Sequence, residues 1–145
     1  MIPKKIILHH SATKDSGMVS WNAIRRYHIH ECRWGNIGYH WGIEYIEDKG
    51  DPQGSYEILL GRTPDESGAH TKGENHDSIG ICFVGNFDLI IPPPGMIFQG
   101  VKLVQWLCRQ FNIPVAEIHG HREYANKTCP GALFDVDLFK DLVLL

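Results

Sequence analysis

Nine histidines in 145 residues is a high load of the side chain best suited to metal binding and to proton transfer near neutral pH. They cluster. His9-His10 closes an apolar run, His40 follows Tyr39, and His119 and His121 open a segment that reaches Cys129. That segment reads His119-Gly120-His121-Arg122-Glu123-Tyr124-Ala125-Asn126-Lys127-Thr128-Cys129-Pro130-Gly131. A histidine and a cysteine eight residues apart can ligate one metal across a loop. Zinc accepts mixed nitrogen and sulfur donors, and catalytic zinc sites keep three protein ligands and leave one position for water. The third ligand must come from elsewhere, and His9 at a strand end is the natural candidate. Spacing alone leaves His119 as a rival to His121. It also leaves open a cysteine nucleophile served by a histidine.

The elements that must carry these residues follow from periodicity. Lys5 to His10 reads as a short buried strand, and Ser11 to Ser20 as a polar loop. Ser20 suits the N-cap of a helix starting at Trp21, with Trp21, Ile24, Tyr27 and His28 on one face. Tyr39 to Ile46 alternates with period two, Asp48 to Ser55 is turn-like, and Tyr56 to Gly61 returns as the second strand of a hairpin. Residues 62 to 78 form a long polar loop of the kind that often carries function. Ser78 to Gly85 is an almost unbroken apolar run and reads as a central strand. After Pro92-Pro93-Pro94, residues Ile97, Val101, Val104, Cys108 and Phe111 keep helical spacing, widened by Leu103 and Leu107. Val115 to Ile118 suits a short strand, 119 to 131 a loop, and Asp135 to Leu145 a closing helix. Strands separated by helices, with one hairpin, predict an α/β single domain: a mixed sheet flanked by helices.

Bulk composition narrows the function classes. The length fits one domain, read here as 1–145. Net charge is -3 with histidines neutral, so no broad field invites nucleic acid or a membrane surface. No apolar run approaches the roughly 20 residues of a membrane helix. Ile6-Ile7-Leu8 is too short for the core of a secretory signal, which predicts a cytoplasmic chain as synthesised. Cys32, Cys82, Cys108 and Cys129 form no C-x-x-C pair and read as reduced thiols.

Five segments, in order from about residue 5 to 139, resemble the zinc-dependent N-acetylmuramoyl-L-alanine amidases, the family of amidase-type phage lysozymes and peptidoglycan recognition proteins. They are Leu8-His9-His10-Ser11-Ala12-Thr13, Ile37-Gly38-Tyr39-His40-Trp41, Gly68-Ala69-His70, Asn75 to Ile81, and the pair Gly120 to Glu123 with Lys127 to Gly131. The resemblance implies an amidase and recognition-protein fold and one zinc ion held by His9, His121 and Cys129. It implies Tyr39 and Lys127 as catalytic groups, and hydrolysis of the amide between N-acetylmuramic acid and L-alanine in peptidoglycan. His70, Asn75 and Trp34 are then expected at the substrate, with Arg62 a weaker candidate. The long hairpin turn at 48–55 and the proline-rich 88–95 depart from the family pattern; they are expected to shape the cleft rim and not the metal site.

The remaining residues have plainer expectations. His10 should face away from His9 because neighbours on a strand alternate. His28 reads as a hydrogen-bonded core histidine, His30 as exposed, His40 as packing, His76 as a loop residue. Cys82, Cys108, Trp21, Trp41 and Trp106 read as core, and Cys32 as structural or exposed. The expected partner is peptidoglycan or a muropeptide, met by a monomer that inserts in no membrane and reaches the wall by a holin-type release. A recognition module without activity, a muropeptide-recycling amidase and a polymerase-binding regulator are the competing functions.

Overall fold

The computed structural model describes residues 1–13, 20–47, 50 and 54–145. Most of the expected turn at 48–55 and of the loop at 11–20 lies outside the described residues. Five strands form one mixed sheet in the order β3-β2-β4-β1-β5. They are β1 (Lys5–His10), β2 (Trp41–Glu47), β3 (Ser55–Leu60), β4 (Ser78–Phe83) and β5 (Ile118–Gly120). β1 lies parallel to β4 and β5, β2 lies parallel to β4, and β3 returns antiparallel on β2. The helices are α1 (Trp21–His30), α2 (Pro94–Phe111) and α3 (Val136–Leu144).

Strand alternation sorts the sheet into two unlike faces. Ile6 and Leu8 of β1, Ile79, Ile81 and Phe83 of β4, and Ile118 of β5 join Leu103, Val104, Leu107, Phe134 and Phe139 in the main core. The opposite face carries Ile7, His9, Gly80 and Cys82 in register. Among the described residues, a small second cluster forms on it, where Trp21 and Ile37 pack with Cys82 and are flanked by Ile24, Tyr39, Leu59 and Val84. That second face therefore has room for polar groups. Gly42 makes part of that room, since a Cβ there would run into the Trp21 ring.

The helices start where their caps predict. Ser20 Oγ accepts from Ala23 N at 3.2 Å, and Asp135 Oδ1 accepts from Leu138 N at 2.9 Å. α2 begins earlier than its apolar stripe suggested, because Pro94 occupies the first turn, where a missing N–H costs nothing. Its centre is also rotated. Met96, Gly100, Leu103, Val104 and Leu107 are its buried residues, while Ile97, Val101, Cys108 and Phe111 pack on the flanks. That rotation leaves Trp106 47% exposed, edge-on to Trp41, rather than in the core. Tyr27 of α1 is likewise exposed. Val115 to Glu117 is a 3-10 turn, not a strand, since Pro114 starts a tight turn before β5 takes up the chain at Ile118. β4 stops at Phe83, so Val84 and Gly85 lie beyond it.

Phe134 links the main core to the loop before it. It is 1% exposed and meets Phe83, Phe87 and Phe139 with ring centroids 5.0, 6.2 and 5.8 Å apart. Phe134→Ala should cost about 3–5 kcal/mol of stability. Urea unfolding read by circular dichroism checks this; a loss under about 1 kcal/mol would mean the cluster does not close the core.

Candidate metal centre

The parallel strands β1, β4 and β5 end on one edge of the sheet, where open α/β sheets bind ligands. Leu8 is paired with Gly120, so His9 on β1 and His121, which opens a 3-10 turn just past β5, emerge side by side. Their ring centroids lie 4.6 Å apart. Cys129 arrives from the following loop, with Sγ 3.7 Å from His9 Nδ1. One donor atom from each of His9, His121 and Cys129 lies within 4.8 Å of the others, and all three residues are buried.

The loop that brings Cys129 in is tightly tied. Arg122 donates from its backbone to Cys129 O at 2.7 Å. Its guanidinium donates to Gly131 O at 2.8 Å and Phe134 O at 2.9 Å. From the other side, the Asp88 carboxylate accepts from Thr128 Oγ1 at 2.9 Å and from Ala132 N at 2.7 Å. The segment after β4 was expected to bear on the rim alone. Through Asp88 it grips both sides of Cys129, so it bears on the metal site as well.

Electrostatics hold the three donors neutral. Burial, then neighbouring His70 and His121, pushes the His9 imidazolium well below its ordinary range. Burial, then the Lys127 ammonium, lowers His121. Burial raises the Cys129 thiol to about 11. Two imidazoles with free lone pairs and one thiol are the donor set of a borderline-soft cation such as zinc, and a poor one for magnesium. Zinc–nitrogen bonds near 2.0–2.1 Å and a zinc–sulfur bond near 2.3 Å would set tetrahedral donors roughly 3.5 Å apart. The Cys129–His9 separation already suits that spacing.

His119, the rival donor, stands one pleat earlier on the same face. There Glu123 Oε2 lies 2.7 Å from its Nδ1 and Glu117 Oε2 3.3 Å from its Nε2. Both ring nitrogens are taken up away from the cluster. His10 turns to the opposite face, accepting from Phe87 N at 3.1 Å.

Around the donors opens a cavity of about 500 Å³. Tyr39, His70, Trp34 and Lys127 line it, as do His28, His10, Asp88 and Thr128. The Tyr39 ring lies 5.2 Å from that of His9. Burial, then the Cys82 and Cys129 sulfurs, pushes its phenol well above its ordinary range, so it keeps its proton. Trp34 packs on His28 at 4.7 Å. Asn75 stands outside the cavity lining. Its Oδ1 accepts from His70 N at 2.8 Å and Thr71 N at 2.9 Å, which makes it a brace under the loop. Arg62 is a brace too, donating to Ile37 O and Ser67 O at 2.8 Å each. His40 packs as expected, buried and accepting from Gly80 N at 3.0 Å.

His28 was read as a core residue and is instead half-buried in the cleft wall, accepting from Gly38 N at 3.0 Å. Helical spacing put it on the inward face of α1. It could not show that this end of α1 overhangs the cleft. Asp88 was missed for a similar reason: a lone acid before a proline-rich stretch carries no signal of the distant loop it binds.

The amidase family description, N-acetylmuramoyl-L-alanine amidase, matches residues 1–132. This chain belongs to that family. It is 36% identical to the endolysin of Escherichia phage T7 over 131 residues, 86% of this chain and 78% of that one. Among solved structures, the endolysin amidase LysCS from Clostridium intestinale URNW superposes with a TM-score of 0.82 at 25% identity, covering 100% of this chain and 86% of that chain. Wild-type Drosophila peptidoglycan-recognition protein LB superposes with a TM-score of 0.74 at 29% identity, covering 92% and 79%. The fold expected from the sequence, a mixed sheet flanked by helices of amidase and recognition-protein type, is the fold found. None of the helices among the described residues is long and apolar enough to cross a membrane.

Six of the nine histidines (His9, His10, His28, His40, His70 and His121) have their protonation disfavoured by burial. Above about pH 6.5 they are neutral in both folded and unfolded chains. Below it the unfolded chain takes up protons that the folded one refuses, so stability is lost as pH falls. Each such histidine contributes up to about 1.4 kcal/mol per pH unit. The melting temperature of the metal-free protein should therefore drop steeply between about pH 6.5 and 5. A flat profile through that window would mean these rings take up protons in the folded state.

Proposed function

We propose that residues 1–145 work as one catalytic domain that hydrolyses the amide between N-acetylmuramic acid and L-alanine in peptidoglycan, with zinc held by His9, His121 and Cys129. The observation that carries this is the convergence of two neutral imidazoles and a thiol at the floor of a cleft, in a member of an amidase family. Zinc bound there supplies a Lewis acid and a lowered pKa for water, to about 7 in well-studied sites.

The chain's own groups supply the rest. In the reaction, water oxygen adds to the lactyl carbonyl carbon, the carbon–nitrogen bond breaks, and the amine of L-alanine leaves with a proton. Negative charge gathers on the carbonyl oxygen only as the transition state forms. A fixed donor or cation at that point therefore acts on rate rather than on binding. Lys127, exposed at the rim two residues before Cys129, brings its ammonium to that charge. Tyr39, kept as a phenol, offers a proton to the same oxygen or to water. Trp34 and His28 form the wall against which the sugar or stem peptide lies, and His70 lies deeper. The likeness to the T7 endolysin supports a wall-lytic role over recycling of soluble muropeptides, and a holin-type route would release such an enzyme to the wall. A recognition module would keep this cleft and lack turnover.

Digestion of purified peptidoglycan, read by mass spectrometry, separates these functions. Stem peptides beginning with L-alanine should appear, vanish with a chelator and return with zinc. Lys127→Ala should keep zinc and lose roughly a hundred- to a thousandfold in rate. Intact peptidoglycan from the zinc-loaded protein would sink the amidase reading. Full activity in the lysine variant would sink its assigned role.

A further inference from the structure

A metal-binding histidine has two nitrogens, and the one away from the metal decides which tautomer the ring adopts. His9 turns Nδ1 toward Cys129 Sγ, at 3.7 Å. Its other nitrogen, Nε2, meets His70 Nδ1 at 3.0 Å and Thr71 Oγ1 at 3.4 Å. Two ring nitrogens at 3.0 Å need one proton between them, and the structure decides which carries it.

The decision starts at a backbone carbonyl, which can only accept. Ser78 Oγ lies 2.6 Å from Glu74 O, so the serine hydroxyl donates there. Its oxygen is then left to accept from His70 Nε2, at 3.4 Å. His70 therefore carries its proton on Nε2 and presents a bare Nδ1. The Nε2–H of His9 donates to that nitrogen, with the Thr71 hydroxyl, 3.0 Å from His70 Nδ1, alongside. A ring protonated on Nε2 has its lone pair on Nδ1, the atom that faces Cys129 Sγ.

The His70 ring is built into place. Gly80 on β4 leaves the slot it fills; a Cβ there would lie 2.5 Å from His70 Cδ2. Asn75 Oδ1 holds the backbone of both His70 and Thr71. Lys5 Nζ pairs with Glu74 Oε2 at 2.5 Å and ties down the residue whose carbonyl begins the sequence of donors. Thr71 is 2% exposed, so no solvent competes for its hydroxyl.

We propose that His70, backed by Ser78 and flanked by Thr71, is a positioning residue that sets His9 in the Nε2–H tautomer and aims its Nδ1 lone pair into the metal site. This rests on the zinc reading for its purpose, but the tautomer itself exists without zinc. Long-range proton–nitrogen correlation spectra of histidine-labelled, zinc-free protein report it directly. His9 and His70 should both show protonated Nε2 and bare Nδ1. Competition with a chromophoric chelator then measures zinc affinity. His70→Leu should weaken it 10- to 100-fold. His70→Asn, which returns an acceptor near the place of Nδ1, should recover most of the loss. Ser78→Ala removes one hydroxyl and guards against misfolding of the leucine variant; it should release part of His9 into the Nδ1–H form. A wild-type His9 found as Nδ1–H, or a folded leucine variant with wild-type zinc affinity, overturns the proposal. Wild-type protein that binds no zinc would remove the metal reading while the spectra still decide the tautomer.

Discussion

Four ionisable side chains, His9, His70, His121 and Cys129, are packed together where a charge on any of them is costly. Burial is the main cause for each, lowering the imidazoles and raising the thiol. A cluster of this kind is stable only if every polar atom has a partner of the right kind, since an unpaired buried donor or acceptor costs about 1–3 kcal/mol. The surrounding architecture answers that demand. His70 has Ser78 on one nitrogen and His9 on the other. The Cys129 loop is anchored by Arg122 from one direction and Asp88 from the other. What remains inside is two imidazole lone pairs and a thiol converging on one place, a donor set that could hold a cation.

The sheet makes this possible by being unequal on its two faces. One face is filled by the side chains that α2 and α3 cover. The other carries Gly80 and Cys82 beside Ile7 and His9, and α1 covers only part of it. An apolar residue at position 80 would fill the slot that the His70 ring occupies. The same alternation that builds a conventional core on one side thus leaves a polar chamber on the other. The two faces are coupled at Phe134, whose ring lies in the core and whose carbonyl accepts from Arg122. The Cys129 loop is therefore seated on the hydrophobic core rather than suspended from the surface.

Much of this was legible in the sequence, and the limits have physical causes. Period-two alternation separated His9 from His10, and the caps at Ser20 and Asp135 marked where helices start. Alternation could not choose between His119 and His121, because residues two apart share a face. The choice is made by Glu117 and Glu123, which draw His119 away through a local turn that a strand reading of 115–118 did not contain. Helical spacing found the stripe of α2 but not its centre, so Trp106 was placed inside when it lies on the flank. Asn75 and His70 sit in a loop, where side-chain direction follows from tertiary hydrogen bonds rather than from any repeat.

Lys127 has two electrostatic effects on this site, and they act in the same direction. Its ammonium disfavours protonation of His9 and His121, and it favours the thiolate of Cys129. A positive charge at the rim thus adds to the burial that keeps the two imidazoles neutral and works against the burial that keeps Cys129 a thiol. The same ammonium also opposes a metal cation entering the cluster, and because Lys127 is exposed, solvent weakens both effects alike. When a substrate covers the cleft and expels water, the screening falls and the field of the ammonium grows. It grows at the rim, where an amide carbonyl above the buried donors would gather negative charge. The neutral floor and the charged rim are therefore complementary: the floor avoids charge because it is buried, and the charge stands at the exposed rim.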